Sequence, residues 1–562
     1  MDSFKNFLSK LTGRNNSDST SSDEAKQLRQ ATSNEKTLYF LESAEGILDL
    51  HLKGTKKYSS KDLIDAIKSL AEAGTMMHVP TLTGFCVNPD FNVRKQAWTA
   101  VDSLLRDTPI HMYPLISSYM REQGVLVEST FKGIERDMPV AVVGMLSFNR
   151  NGFVREVAMK DLVQRFDGKE LPFIIIAAND WVANIHVLAA EALNKRTAKH
   201  YAPFLTENLA LFQWLSRSGR HQFGRLLTDI EDLIAPLLTV SDLPGLFANT
   251  SERKFWRYAF KLSISDQSKS PEEFDKLLKL GLQLNDSVIQ QLSATTALNV
   301  LSRERLNGLI PLLLRHEVPQ VRREALRWIV ENKWENFEEQ TKIALFDKSL
   351  SVRLLAQYYT DKTKIIPLYE QNLEEKKFSL EGTLRGLLDM KVQIASEKIE
   401  PFLHHSNSKV RAIAYSLLLR ETAANEQQLV VQALSDRSGY CTRVALNYLR
   451  ANRQIMSADQ LWNLFSPNAP TTNARAVLNA IANLGTWRSL EYLLLARLSV
   501  QPELEENLDY FINKWSLHYS EKKLSSEQHE RCMKALSDCN ALVPSEQRKQ
   551  LEFMLRGSLK DT

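Results

Sequence analysis

Cysteine is scarce: Cys86, Cys441, Cys532 and Cys539 are the four in 562 residues, and none stand in CxxC spacing. That excludes a disulfide framework and a zinc knuckle, and it points to a reducing, cytoplasmic compartment. Long hydrophobic runs are missing as well. Leu171 to Ala178 is among the longest, far short of the roughly 20 residues a spanning helix requires. No apolar segment follows the first basic residues, which argues against a secretory signal. Charge of one sign is absent too, with 71 Lys plus Arg against 67 Asp plus Glu and a net charge of +4. Global electrostatics therefore nominate neither nucleic acid nor a membrane, and a charged partner must meet a local patch. Finally, the chain has no GxxxxGK followed by Ser or Thr, no GxGxxG behind a strand, no GxSxG, no HExxH and no EF-hand loop. Neither catalysis nor a cofactor is expected from motifs of those kinds.

What is present is repetition. Asp347 to Thr360, DKSLSVRLLAQYYT, begins with a polar turn able to cap a helix and continues with Val352, Arg353 and Ala356. On a helix Val352, Ala356 and Thr360 fall on one stripe, Arg353 leaves on another bearing, and the small residue admits a close neighbour. The pattern returns at Val93-Arg94-Ala97, Val154-Arg155-Ala158, Val321-Arg322-Ala325 and Val410-Arg411-Ala414. Weaker copies stand at Leu63/Ile67, Val125/Ser129, Val182/His186, Val288/Leu292, Leu380/Leu384, Cys441/Ala445, Thr472/Ala476 and Leu504/Leu508. Anchors at 288, 321, 352, 380, 410, 441, 472 and 504 are separated by 33, 31, 28, 30, 31, 31 and 32 residues. Such a fixed period belongs to stacked units, each too small to bury its own apolar face.

The polar residue five places before the valine (Asn88, Asn149, His316, Asp347, His405, Asp436), the Val-Arg pair, the later Ala, and Pro80 and Pro367 thirteen places before their anchors together resemble HEAT repeats. The short variety seen in bilin-lyase-like proteins is the nearest in length, and the resemblance covers roughly Ser60 to Phe511. It implies an all-α fold: an α-solenoid of about 14 to 15 antiparallel helix pairs. It also implies an Asp–Arg ladder between neighbouring repeats, in which Arg94, Arg155, Arg322, Asp347, Arg353 and Arg411 would be structural. The Arg is missing at Val182-Ala183 and displaced at Cys441-Thr442-Arg443, so no ladder contact is expected at either place.

Along the chain, residues 1–35 read as an N-terminal tail. Phe4, Phe7, Leu8 and Leu11 lie at helical spacing beside Lys5, Lys10 and Arg14, the composition of a short amphipathic recruitment segment for an acidic membrane surface or a partner groove. The bland alternative is a frayed tail, and Asn15 to Asp23 is too polar to fold. Residues 36–197 form a first repeat arm. Residues 198–254 break the rhythm with Gly219, Gly224, Pro236, Pro244 and Gly245, either as a joint between two arms or as two irregular repeats. Residues 255–520 form a second arm. Residues 521–562 make a polar helical cap, with Ser525 and Gln528 spaced as a capping box.

Three clusters are candidate sites. Paired His316-Glu317 and His529-Glu530 have the composition of an iron site. They sit in non-equivalent places, however, and no metal is expected; His316 and His405 read better as turn residues bonding locally. Phe212, Trp214, Arg217, Arg220, His221, Phe223 and Arg225, with Arg253, Trp256 and Arg257, combine phosphate-neutralising and stacking groups suited to nucleic acid. The competing reading makes those aromatics core and their basic neighbours a solvated face. Arg323 and Arg327 share a helix face that would meet an acidic peptide or simply pair with Glu324 and Glu331. The sequence supports a non-enzymatic scaffold or adaptor binding a protein along its concave surface. The alternative is a nucleic-acid-binding solenoid centred on residues 212–261, and a modifying subunit of the bilin-lyase-like type is a third reading.

Overall fold

Helices in this protein begin where a side chain can take up the free N–H groups of the first turn. Ser59 and Asp62 form a capping box ahead of helix Ser60–Ala73, and Asp90 accepts from the N–H groups of Asn92 and Val93 ahead of Phe91–Arg106. Asp286 does the same for Ser287–Val300, and Ser525 with Gln528 closes a second box ahead of Ser526–Asp538. Proline stands in the first turn of Val79–Phe85, Leu171–Ala177 and Pro319–Glu331, where its missing N–H costs nothing.

The computed structural model describes residues 35–123, 131–218, 220–221, 223–248, 252–266, 268–421, 425–466, 470–499, 502–518 and 524–558. Among them no strand occurs and every regular element is helical. The chain is all-α, and it divides into two compact units, Met1–Leu301 and Ser302–Thr562. Segment 198–254 lies inside the first unit, as the short helices Ala202–Glu207, Leu209–Arg217, Gly224–Ile234 and Asp242–Ala248.

The second unit is an α-solenoid in its packing order. Helix Pro319–Glu331 packs on Leu350–Tyr359, which packs on Leu380–Asp389, and the series continues through Ser408–Glu421, Gly439–Ala451, Thr471–Leu484 and Pro502–His518. Intervening helices such as Phe337–Ala344 and Glu426–Ser435 form the partner layer. In the first unit Ser60–Ala73 packs on Phe91–Arg106, and Gly152–Leu162 on Ala183–Asn194, in the same neighbour-on-neighbour manner.

The inward stripe is the repeated one. Val93 and Ala97, Val154 and Ala158, Val321 and Ala325, Val352 and Ala356, and Val410 and Ala414 are all buried. Each such valine contributes about 1.5–3 kcal/mol of burial. Three weaker anchors sit elsewhere than their spacing suggests, and at one of them Thr472 is exposed while Asn473 beside it is buried. Val288 is exposed while Ile289 beside it is buried, and Val182 is the N-cap of Ala183–Asn194 with Ile185 turned inward. At Val288 and Val182 a carboxylate two residues ahead (Asp286, Asp180) accepts the N–H of the expected anchor itself, and the buried position comes later. The Val125 anchor lies outside the described residues. Close approach is tightest at Gly382, where a Cβ would stand 1.8 Å from the Phe346 carbonyl oxygen.

Candidate functional site

The repeated arginines join successive repeats. Arg322 sends Nε and Nη2 to the two carboxylate oxygens of Asp347, both at 2.7 Å, and Arg411 reaches Asp436 at 2.7 and 2.8 Å. Arg155 reaches Asp180 at 3.0 and 3.2 Å, with both groups buried. In all three the separation is 25 residues, one repeat of 31 less the six residues by which the arginine follows its own turn residue. The third nitrogen folds back: Nη1 donates to the carbonyl six residues earlier, at Asn149, His316 and His405 respectively. Each guanidinium thus clamps its own turn and the next one.

Two rungs depart from the pairing that the resemblance implies. Arg353 does not take the Asp347 carboxylate, which Arg322 occupies; its Nη1 bonds the Asp347 carbonyl at 2.8 Å and its Nε reaches Asp389 at 2.9 Å. Arg94 pairs with Glu135 at 2.8 Å. Arg353 is also buried.

The turn residue itself performs one constant task, accepting the N–H two residues on. Asp347, Asp436 and Asp180 do so by a carboxylate, Asn88 and Asn149 by an amide oxygen, His316 and His405 by Nδ1. Its charge follows the preceding repeat. Asp347, Asp436 and Asp180 stand where an arginine arrives, whereas the repeats before Asn88, Asn149, His316 and His405 carry Ile64, Leu126, Gln290 (after the buried Ile289) and Glu381 in the arginine slot. A buried carboxylate without a cation is costly, so a neutral acceptor serves there.

The basic and aromatic residues of 212–261 do not form one surface. Phe212 and Phe223 are buried, and Trp256 stacks on Phe247 with ring centroids 5.0 Å apart. Arg217 pairs with Glu252 at 3.6 Å, Arg257 with Asp286 at 3.0 Å, and Arg253 lies over the Trp256 ring at 4.1 Å. Arg225 is exposed on Gly224–Ile234. Arg323 and Arg327 share the Glu324 carboxylate at 2.9 and 3.2 Å. Phe4, Phe7, Leu8 and Leu11 lie outside the described residues.

Arg220 has a different setting. It lines a cleft of about 400 Å³ with Ser117, Ser118, Arg121, Trp181 and Trp214. Sequence reasoning passed over Arg121 and Trp181, which match no repeat slot. The one available signal was the 25-residue step from Arg155 to Asp180, which marks the turn beside Trp181. A second buried pair was missed in the same way: Arg196 meets Glu170 at 2.8 Å with neither group exposed.

Among the described residues no three His, Cys, Asp or Glu side chains cluster as a metal site needs, and no helix is long and apolar enough to cross a membrane. No protein-family model matches the chain, and no curated protein matches it. Solved structures similar to it include the following two. Importin beta, in an ammonium sulfate condition, aligns at 12% identity and TM-score 0.26 over 90% of this chain and 73% of that one. UNC-45 from Drosophila melanogaster aligns at 11% identity and TM-score 0.17 over 93% and 78%. At such TM-scores the likeness carries no weight, and the fold rests on the stacking of the helices themselves.

Proposed function

We propose that the protein is a HEAT-type scaffold or adaptor that binds a protein partner in the cytoplasm and catalyses no reaction. The observation that carries this reading is an apolar strip on a repeat helix. Leu350, Leu354 and Tyr358 follow one another at four-residue spacing on Leu350–Tyr359 and are 50%, 50% and 80% exposed. The opposite face of that helix buries Val352, Arg353 and Ala356, so the strip is not a misplaced core. Contiguous exposed apolar side chains on a helix held rigidly by its neighbours favour a protein interface. Phe153, 81% exposed, and Val157 give the first unit a shorter strip of the same kind on Gly152–Leu162.

The reading keeps the organisation expected from the sequence: arms at 36–197 and 255–520, an irregular segment at 198–254, a cap at 521–562, and residues 1–14 as a separate recruitment element. The nucleic-acid alternative loses ground because Arg217 and Arg257 are already paired with carboxylates. A backbone-tracking surface needs a row of free cations.

The test is affinity purification of the tagged full-length chain after nuclease treatment, comparing wild type with the Leu354→Asp, Tyr358→Asp double variant. A stoichiometric protein retained by wild type and lost from an equally helical variant is expected. Loss of everything on nuclease treatment, or equal retention by the variant, would overturn the reading.

A further inference from the structure

Asp180 is fully buried and receives two arginines, Arg155 at 3.0 Å and Arg121 at 3.0 Å, besides the N–H of Val182 at 2.9 Å. One carboxylate therefore serves two guanidinium groups. Arg220 adds a third, and among the described residues its one polar contact is a 3.3 Å bond to the Asn179 carbonyl. All three guanidinium groups crowd the indole of Trp181, at 5.1, 4.9 and 5.8 Å for Arg121, Arg155 and Arg220. Trp181 is nonetheless 55% exposed. Glu122, which is exposed, also lines the cleft, and among the described residues it bonds none of them.

Positive charge held this way lacks its counterpart. The Arg121 side chain is 10% exposed and its Nε is buried without a hydrogen-bond partner, as is Oδ1 of Asn179. Burial pushes the Arg121 guanidinium down to about 10; Asp180 opposes that, and Arg155 and Arg220 add to it. An unpartnered buried donor is costly, and an incoming anion would relieve that cost. The void beside it is the 400 Å³ cleft walled by Trp181 and Trp214.

We propose that this cleft binds an aspartate or glutamate side chain from an acidic segment of a partner protein. The carboxylate sits on Arg121 and Arg220, and the chain leading to it packs on Trp181. A segment of peptide also brings N–H donors, which Oδ1 of Asn179 lacks. Nucleic acid fits less well, since the neighbouring Arg217 and Arg257 are paired and leave one isolated anion site rather than a track. This inference rests on the scaffold reading and names the chemistry of what one of its surfaces takes.

The experiment is fluorescence anisotropy at low ionic strength with the full chain and a labelled short peptide of alternating Glu and Ala. Its Gln-for-Glu analogue and a labelled single-stranded oligonucleotide are run in parallel. The Glu peptide is expected to bind about tenfold or more tightly than the Gln analogue. Arg220→Gln should remove that preference, and Trp181→Ala should weaken binding. Arg220 is exposed and holds no buried pair, so its variant keeps the fold, as circular dichroism would report. Equal binding of the two peptides, or no effect of Arg220→Gln, would overturn the proposal, as would an oligonucleotide that binds more tightly and depends on Arg220. If the cleft fails while the Leu354→Asp, Tyr358→Asp variant still loses its partner, the scaffold reading stands without it.

Discussion

Arg322 and Asp347, one repeat apart, face each other through two parallel N–H···O bonds of 2.7 Å, and each also belongs to a turn. Asp347 accepts the Ser349 N–H while Arg322 donates to the His316 carbonyl. The pair therefore couples two turns through one contact, and both side chains are 14% exposed. Such bidentate geometry makes the relative placement of neighbouring repeats specific rather than merely favourable.

Removing the acid should be expensive. Asp347→Ala leaves Arg322 uncompensated and the Ser349 N–H unpaired, a cost of about 2–4 kcal/mol. Hydrogen exchange on the helices Pro319–Glu331 and Leu350–Tyr359 is the appropriate readout, because repeat arrays need not unfold in one step. His405→Asn, at an equivalent turn where no arginine arrives and a neutral acceptor suffices, should change protection there by under about 1 kcal/mol. Equal effects of the two substitutions would refute the rule linking turn charge to the preceding repeat.

Gly382→Ala should lower stability by about 1–3 kcal/mol. The new methyl would meet the Phe346 carbonyl at 1.8 Å, and backbone cannot swing aside as a side chain can. Urea denaturation followed by circular dichroism measures it; a variant as stable as wild type would show that the two helices can part without loss.

Acid should loosen the second unit through Asp436. Burial works to raise its pKa, but hydrogen bonds from Arg411, the Ser438 N–H and Cys441 outweigh it and hold the carboxyl below its ordinary 3.8. A depressed folded value means the contribution is complete above about pH 4 and is lost as pH falls through the lower folded value. Asp436→Asn should therefore be less stable than wild type at neutral pH and should converge with it towards pH 2. A gap that persists unchanged in acid would contradict this.

The thiols should be silent in the folded chain. All four cysteines are buried, and burial first, with Asp436 or Glu491 adding to it, pushes Cys441 and Cys532 up to about 12. A thiol reagent at pH 8 should modify none of them natively and all four in denaturant. Rapid native labelling would place at least one cysteine in an opening segment.

Much of this protein was decided locally and could be read from the chain. The 31-residue rhythm, the Val-Arg-Ala stripe, the capping box at Ser525 and the final helices all follow from helical spacing and from side chains bonding their own backbone within four residues. The identity of a turn residue is likewise local, because Asp, Asn and His can each accept the N–H two places on. Which of them stands there is not local. It depends on whether an arginine 25 residues earlier points at it, and that is visible only once the repeats are stacked. The same holds for the candidate site. Arg217, Arg220 and Arg257 look alike in sequence, yet Glu252 and Asp286 neutralise two of them while the third is set beside Arg121 and Trp181. Charge compensation between residues distant in sequence depends on their separation in space, and only the tertiary structure supplies that distance.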